Sequence, residues 1–279
     1  MIGPLPSCDV ALVLRVGGDV LYSHGDLDRV FPLASVTKPI VAWSVLVAVE
    51  RGLTTLDAPA GPPGSTVRHL LSHASGLPFE GRRPVAAPGK RRIYSNEGFD
   101  VLGELLEDAT GMEVDRWVKQ VIFDPLGMAS AQIPGSPAYA GVASAADLSL
   151  FGAELARPTL VSEPLAALAA VSQFPALAGV VPGYGRFTPC PWGLGVEIRG
   201  EKDPHWSAPD ASARTIGHFG QAGSFVWADR DLAASACFLG EEPFGQWHRE
   251  NWSSLNASLL EMVRGCSVGV AGEKGDGSA

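Results

Sequence analysis

Apolar residues gather in short runs near both ends of the chain and at helical spacing through its middle. Val10-Ala11-Leu12-Val13-Leu14 and Val20-Leu21-Tyr22 flank Gly17-Gly18-Asp19, a pattern that predicts an antiparallel hairpin. Residues 35 to 51 form a long apolar run that predicts a helix buried on most sides, with Gly52 placed to end it in a left-handed cap. From Thr54 to about Pro189, short helical patterns at 67–72, 97–109, 114–122, 145–156 and 164–171 alternate with loops rich in proline and glycine. After Pro191 the texture returns to strands at 192–199, 213–219, 224–228 and 232–239, with Asp229-Arg230-Asp231 as a turn. Trp252, Leu255, Leu259 and Val263 recur at helical spacing and predict a closing helix, after which a Gly-rich tail is expected to be disordered.

Strands at both ends with helices between them imply an α+β fold: one antiparallel sheet flanked by helices, with an inserted, mostly helical lobe. The expected division puts 1–55 and 190–264 in the sheet lobe, 56–189 in the helical lobe and 265–279 in the tail, with a binding cleft between lobes. At 279 residues and 46% hydrophobic the chain can bury a large core without disulfides or structural metal. Thirty acidic against twenty-one basic residues give a net charge of −9, the wrong sign for tracking nucleic acid or an anionic membrane. The longest apolar runs, 10–16 and 40–49, are too short to span a bilayer. The amino end has no basic n-region and carries two early prolines, so a cytoplasmic protein is expected. Cys8, Cys190, Cys237 and Cys266 show no metal or redox spacing.

Three segments carry residue types suited to chemistry. In Ser35-Val36-Thr37-Lys38-Pro39 a spacing of three puts the Ser35 hydroxyl and the Lys38 amine on one helical face. Pro39 confines the helix start to the neighbourhood of Ser35, because a missing N–H is tolerated only in the first turn. A desolvated amine has a lowered pKa and can take the serine proton, which activates a serine without histidine; the plainer reading is a helix cap and a solvated lysine. In Tyr94-Ser95-Asn96 a tyrosine near cationic Lys38 would be more easily ionised and could relay protons, while the Asn96 amide either orients a substrate carbonyl or Lys38 itself, or caps the helix that follows. In His218-Phe219-Gly220-Gln221, at the end of a predicted strand, Gly220 lets another group approach the backbone and the Gln221 N–H could join that of Ser35 in holding an oxyanion.

Other patterns lead elsewhere. His69 and His73 have a metal-ligand spacing, but Leu70 stands where a zinc peptidase needs glutamate, and no metal or other cofactor is expected. Ser144 and Asp147 read as a helix-capping pair. G-x-S-x-G and phosphate-binding glycine motifs are absent from the sequence.

The order and neighbouring text of these segments resemble the serine beta-lactamase and penicillin-binding-protein superfamily. The closest texture is the branch of class C beta-lactamases, D-amino-acid-specific peptidases and related carboxylesterases. The resemblance rests on residues 31–39, on His69-Leu70-Leu71-Ser72-His73-Ala74-Ser75-Gly76-Leu77, on Pro88-Gly89 ahead of Tyr94-Ser95-Asn96, on Pro125-Leu126-Gly127-Met128 and on Gly217-His218-Phe219-Gly220, and spans roughly residues 10 to 263. It implies Ser35 as acylated nucleophile, Lys38 and Tyr94 as proton-transfer partners, and Asn96, His218, Gly220 and Gln221 as substrate-binding positions. His218 stands where many beta-lactamases and transpeptidases have a lysine that helps bind the substrate carboxylate. Neutral histidine weakens that recognition unless Arg214 or another group compensates. The implied function is a serine hydrolase of a small ester, beta-lactam or D-amino-acid peptide; the alternative is a non-catalytic, penicillin-recognising binding or regulatory protein. The short stretch between Leu77 and Tyr94 implies trimmed cleft walls, and the missing leader disfavours a cell-wall role.

Overall fold

The opening hairpin consists of β1 (Val10–Val16) and β2 (Asp19–His24) in a computed structural model that describes residues 2–272. β3 (Val30–Pro32) leads through one 3₁₀ turn at Ala34–Val36 into α1 (Thr37–Glu50), and Gly52 follows at φ +71°. The middle of the chain supplies α2 (Val67–Leu71), α3 (Glu97–Thr110), α4 (Val114–Val118), α5 (Asp124–Leu126), β4 (Val142–Ser144), α6 (Ala145–Ala156) and α7 (Glu163–Ala169). A wider π-type turn, Lys119–Phe123, joins α4 to α5. A small hairpin of β5 (Gly179–Val181) and β6 (Gly185–Phe187) precedes β7 (Glu197–Ile198), β8 (Ile216–Gly220), β9 (Ser224–Asp229), β10 (Ala234–Gly240) and the closing α8 (Gln246–Gly272). α8 thus runs past Gly265, where the sequence reading begins its tail; residues 273–279 of that tail lie outside the described residues.

The main sheet has the order β2-β1-β10-β9-β8-β7, with antiparallel neighbours throughout. Pairing of β1 with β10, from Val10 opposite Gly240 to Val16 opposite Ala234, joins the two ends of the chain in one sheet. Both faces are covered, so the central strands are apolar on alternate positions of both kinds. Ala11, Val13, Val226, Ala228, Cys237 and Leu239 belong to the larger core with α1, while Leu12, Leu14, Phe225, Trp227 and Phe238 face α8. The helical stripe Trp252, Leu255, Leu259 and Val263 is fully buried on that second face. Each such side chain contributes about 1.5–3 kcal/mol by leaving water.

Two features depart from the linear reading. α6 comes from the middle segment yet packs on β1, β9 and β10, where a Cβ on Gly152 would lie 3.1 Å from Ser235 Oγ. The expected strand at 192–199 is reduced to β7 and a single bridge between Trp192 and Glu197, because the chain turns at Gly195, whose N–H donates to Leu71 O at 2.9 Å.

Candidate active site

The short β3–β4 ribbon and the 3₁₀ turn hold Ser35 at the entrance of α1. Ala34 adopts φ +45°, a left-handed conformation that costs a non-glycine residue about 1–2 kcal/mol. Thr37 Oγ1 donates to Ala34 O at 2.7 Å and accepts from Gly141 N at 2.9 Å, which pins the turn against the residues leading into β4. One helical turn on, Lys38 is fully buried, and its Nζ donates to Asn96 Oδ1 at 2.6 Å, Ala138 O at 2.9 Å and Ser35 Oγ at 3.4 Å. All three acceptors are uncharged. Burial therefore lowers the Lys38 amine to about 7, opposed only in part by Asp100. The amine also lies 4.8 Å from the centre of the Tyr94 ring and 5.6 Å from that of Phe99.

Tyr94 and Asn96 arrive on the loop that enters α3. Of the readings open to Asn96, the side chain takes the one toward Lys38, whose amine donates to its oxygen. It makes no capping bond, and Ser95 Oγ accepts from Gly98 N at 2.9 Å in its place. Tyr94 departs from expectation in its ionisation. Burial pushes its phenol above the usual range, a hydrogen bond with Ser35 opposes this, and the Glu197 charge adds to it, so the hydroxyl stays protonated despite nearby Lys38.

β8 closes the other side. A Cβ on Gly220 would lie 2.3 Å from Leu33 O, 2.5 Å from Ser224 Oγ and 3.1 Å from Ser35 N, so only glycine allows this strand so close to the serine turn. Ser224 Oγ donates to Leu33 O at 2.7 Å and ties β9 to the same turn. His218 Nδ1 lies 2.7 Å from Phe219 O, to which it donates, leaving Nε2 as the acceptor 3.4 Å from Tyr94 Oη. Burial, reinforced by Lys38, lowers this histidine to about 4, against weaker opposition from the Phe219 carbonyl and Glu197. Arg214 does not compensate: it pairs with Asp231, and its side chain is 77% exposed.

Ser35, Tyr94, His218 and Gln221 thus line one cavity of about 140 Å³, with Lys38 and Asn96 behind it and Gly220 bracing the serine turn. The two histidines at metal-ligand spacing part company. α2 ends at Leu71 and His73 turns to φ +55°, where its Nδ1 accepts from Ser95 N at 3.1 Å. His69 Nδ1 instead meets Thr66 Oγ1 at 2.9 Å. Ser144 caps α6 as expected, accepting from Asp147 N at 3.2 Å, while the Asp147 carboxylate takes Ser130 N and Oγ.

Sequence reasoning missed Phe79, Trp192, the hairpin residues Val181 and Pro182, and Glu197, all of which line the cavity. A lone acid inside the apolar run 192–199 is the one linear signal for Glu197. Burial would raise its carboxyl, but Lys202, His205 and the Trp206 N–H outweigh burial and hold it below the usual carboxylate range.

A family model described as Beta-lactamase matches residues 9–245. The chain belongs to the Beta-lactamase family. Within it, the crystal structure of a beta-lactamase from Mycobacterium bovis superposes with a TM-score of 0.91 at 44% identity, covering 94% of this chain and 96% of that one. Esterase EstB of Burkholderia gladioli is 34% identical over 178 residues, covering 43% of this chain and 45% of the esterase. Penicillin-binding protein 4* of Bacillus subtilis is 28% identical over 162 residues, covering 42% of this chain and 36% of that protein. This Beta-lactamase-family chain spans less than half the length of either of these two curated relatives. Among the described residues, no helix is long and apolar enough to cross a membrane.

Proposed function

We propose that this chain is a serine hydrolase that cleaves an ester or amide bond through an acyl-enzyme on Ser35. The observation that carries the reading is the buried Lys38 amine, 3.4 Å from Ser35 Oγ, facing neutral acceptors and lowered to about 7. Near neutral pH about half of such an amine is free base, which suits a proton acceptor. In acylation the Ser35 Oγ–H proton passes to Lys38, and the Oγ–carbon bond forms as the carbonyl π bond opens. The backbone N–H groups of Ser35 and Gln221 stabilise the resulting oxyanion. Tyr94, kept protonated by burial, gives its proton to the departing alcohol or amine, and the proton that Lys38 took from Ser35 restores the phenol. Water then attacks the acyl-enzyme by the reverse proton path and frees Ser35. The four cysteines, all unpaired, support a reducing and hence cytoplasmic setting.

Intact mass after brief exposure to p-nitrophenyl butyrate or a chromogenic cephalosporin, with product release followed in parallel, tests the reading. Wild type is expected to show an adduct or turnover with at least one of them. Ser35→Ala is expected to show neither while melting within about 1 °C of wild type, since it removes one partly exposed hydroxyl. Wild-type rates in Ser35→Ala would place the nucleophile elsewhere.

A further inference from the structure

Glu197 and Lys202 form an ion pair with both side chains 1% exposed, in the wall of the catalytic cavity and outside the proton-transfer chain. Lys202 Nζ lies 3.0 Å from Glu197 Oε1 and also donates to Ile198 O. His205 Nε2 lies 3.1 Å from the same carboxylate oxygen, and Trp206 Nε1 donates to the other at 2.8 Å. Both oxygens are thus occupied from behind the wall. The carboxylate is not a spare ligand for a substrate; its effect on the cavity is to cancel the buried cation of Lys202 behind the wall.

We propose that Glu197 sets the substrate class of this site: by neutralising Lys202 it leaves the cavity without a free cation, so the enzyme takes esters whose group in the cavity is uncharged and apolar, and rejects those that place a carboxylate there. The inference rests on the serine-hydrolase reading and narrows it.

The surroundings agree. Among the described residues no lysine or arginine lines the cavity, and Phe79, Val181, Pro182, Trp192 and Phe219 make most of its surface apolar. His218, with Nδ1 committed to Phe219 O, presents an acceptor nitrogen to the cavity side and not a cation. Lys38 is held by Asn96 and Ala138 O. Arg92 gives its N–H groups to the carbonyls of Ser72, Gln173, Phe174 and Cys190. A carboxylate entering this space would lose its water and find no cationic partner. Size adds a second limit. At about 140 Å³ the cavity is close to the 150 Å³ that accommodates benzene in an apolar protein interior, enough for one ring or a short chain. Phe79, itself 51% exposed, carries the apolar lining out to the surface.

A matched pair of activated esters tests this: p-nitrophenyl butyrate, and mono-p-nitrophenyl succinate, in which a carboxylate replaces the terminal methyl. Rates are corrected with Ser35→Ala. Wild type is expected to favour the butyrate in kcat/KM by at least about 30-fold, the penalty for burying a charge without a partner. Glu197→Gln keeps the shape of the side chain and leaves Lys202 uncompensated. It is expected to shrink that preference about tenfold, chiefly by raising kcat/KM for the succinate. The double variant Glu197→Gln/Lys202→Met removes both charges and is expected to keep the wild-type preference, which separates charge from mere disruption of the wall. Equal kcat/KM for the two esters in wild type, with turnover still dependent on Ser35, would overturn the inference alone, as would an unchanged preference in folded Glu197→Gln. If Glu197→Gln does not fold, the double variant decides, and loss of preference there overturns the role of Glu197. Absence of Ser35-dependent turnover with either ester, and with a cephalosporin, would instead overturn the underlying hydrolase reading.

Discussion

Lys38 is an amine held out of water opposite three uncharged oxygens, and in the proposed mechanism its protonation sets the pH at which the site works. kcat/KM for an uncharged ester is expected to rise with pH and level off above an inflection near 7, where Lys38 loses its proton. His218, lowered to about 4, remains neutral through that range and adds no second inflection. A profile measured from about pH 5 to about pH 9 on p-nitrophenyl butyrate checks this, and a rate flat across that whole range would remove Lys38 as the base. The pairing of Ser35 with Lys38 was legible in the sequence because it is local: three residues along one helix start lie on one face whatever surrounds them. The ionisation of Tyr94 was not. Proximity to Lys38 argued for an easier phenolate, whereas burial dominates and raises the phenol, and burial belongs to the tertiary environment. Asn96 shows the same limit, since capping and lysine-binding are equally open to it until Lys38 is placed 2.6 Å from its oxygen.

At the scale of elements, the site depends on how closely β8 approaches the turn that carries Ser35. Gly220→Ala would drive a methyl into Leu33 O and Ser224 Oγ and push the strand away from Ser35 N. Acylation of this variant is expected to fall by about 10²–10³-fold, the loss associated with one displaced oxyanion donor. Stability is expected to drop by about 1–3 kcal/mol for overpacking. Burst kinetics with p-nitrophenyl butyrate and urea unfolding measure the two effects, and a variant that acylates at the wild-type rate would show that the β8 contact does not shape the oxyanion site. The hairpin β1–β2, helix α1 and the stripe of α8 were readable from periodicity, because each buries a pattern the chain carries locally. The shortening of strand 192–199 was not, since the turn at Gly195 serves a distant backbone partner, Leu71.

For the whole molecule, several histidines are kept neutral by burial. His73 lies well below its ordinary value of 6.5, His205 lies below it, and His218 is at about 4. Below pH 6.5 the unfolded chain binds protons on these rings that the folded chain refuses, so ν is larger in the unfolded state and stability falls as the pH drops. For His218 the loss runs from 6.5 down to about 4. The midpoint of urea unfolding is expected to be highest above pH 6.5 and to decline steadily through this window. A flat midpoint across it would mean that these rings titrate freely in the folded protein.

What the sequence determined by itself are the features written in neighbouring residues: the strand and helix periods, the Ser35–Lys38 face, the glycine at the end of β8, and a family texture that implied the α+β fold. Only the tertiary structure decided which elements share a lobe, with α6 leaving its segment to cover the sheet, and which distant groups meet at the cavity. Glu197, Lys202 and the raised phenol of Tyr94 fall in this second set. The physical reason is the range of the interactions. Periodicity and capping act within a few residues, whereas desolvation and charge pairing depend on everything packed around a group.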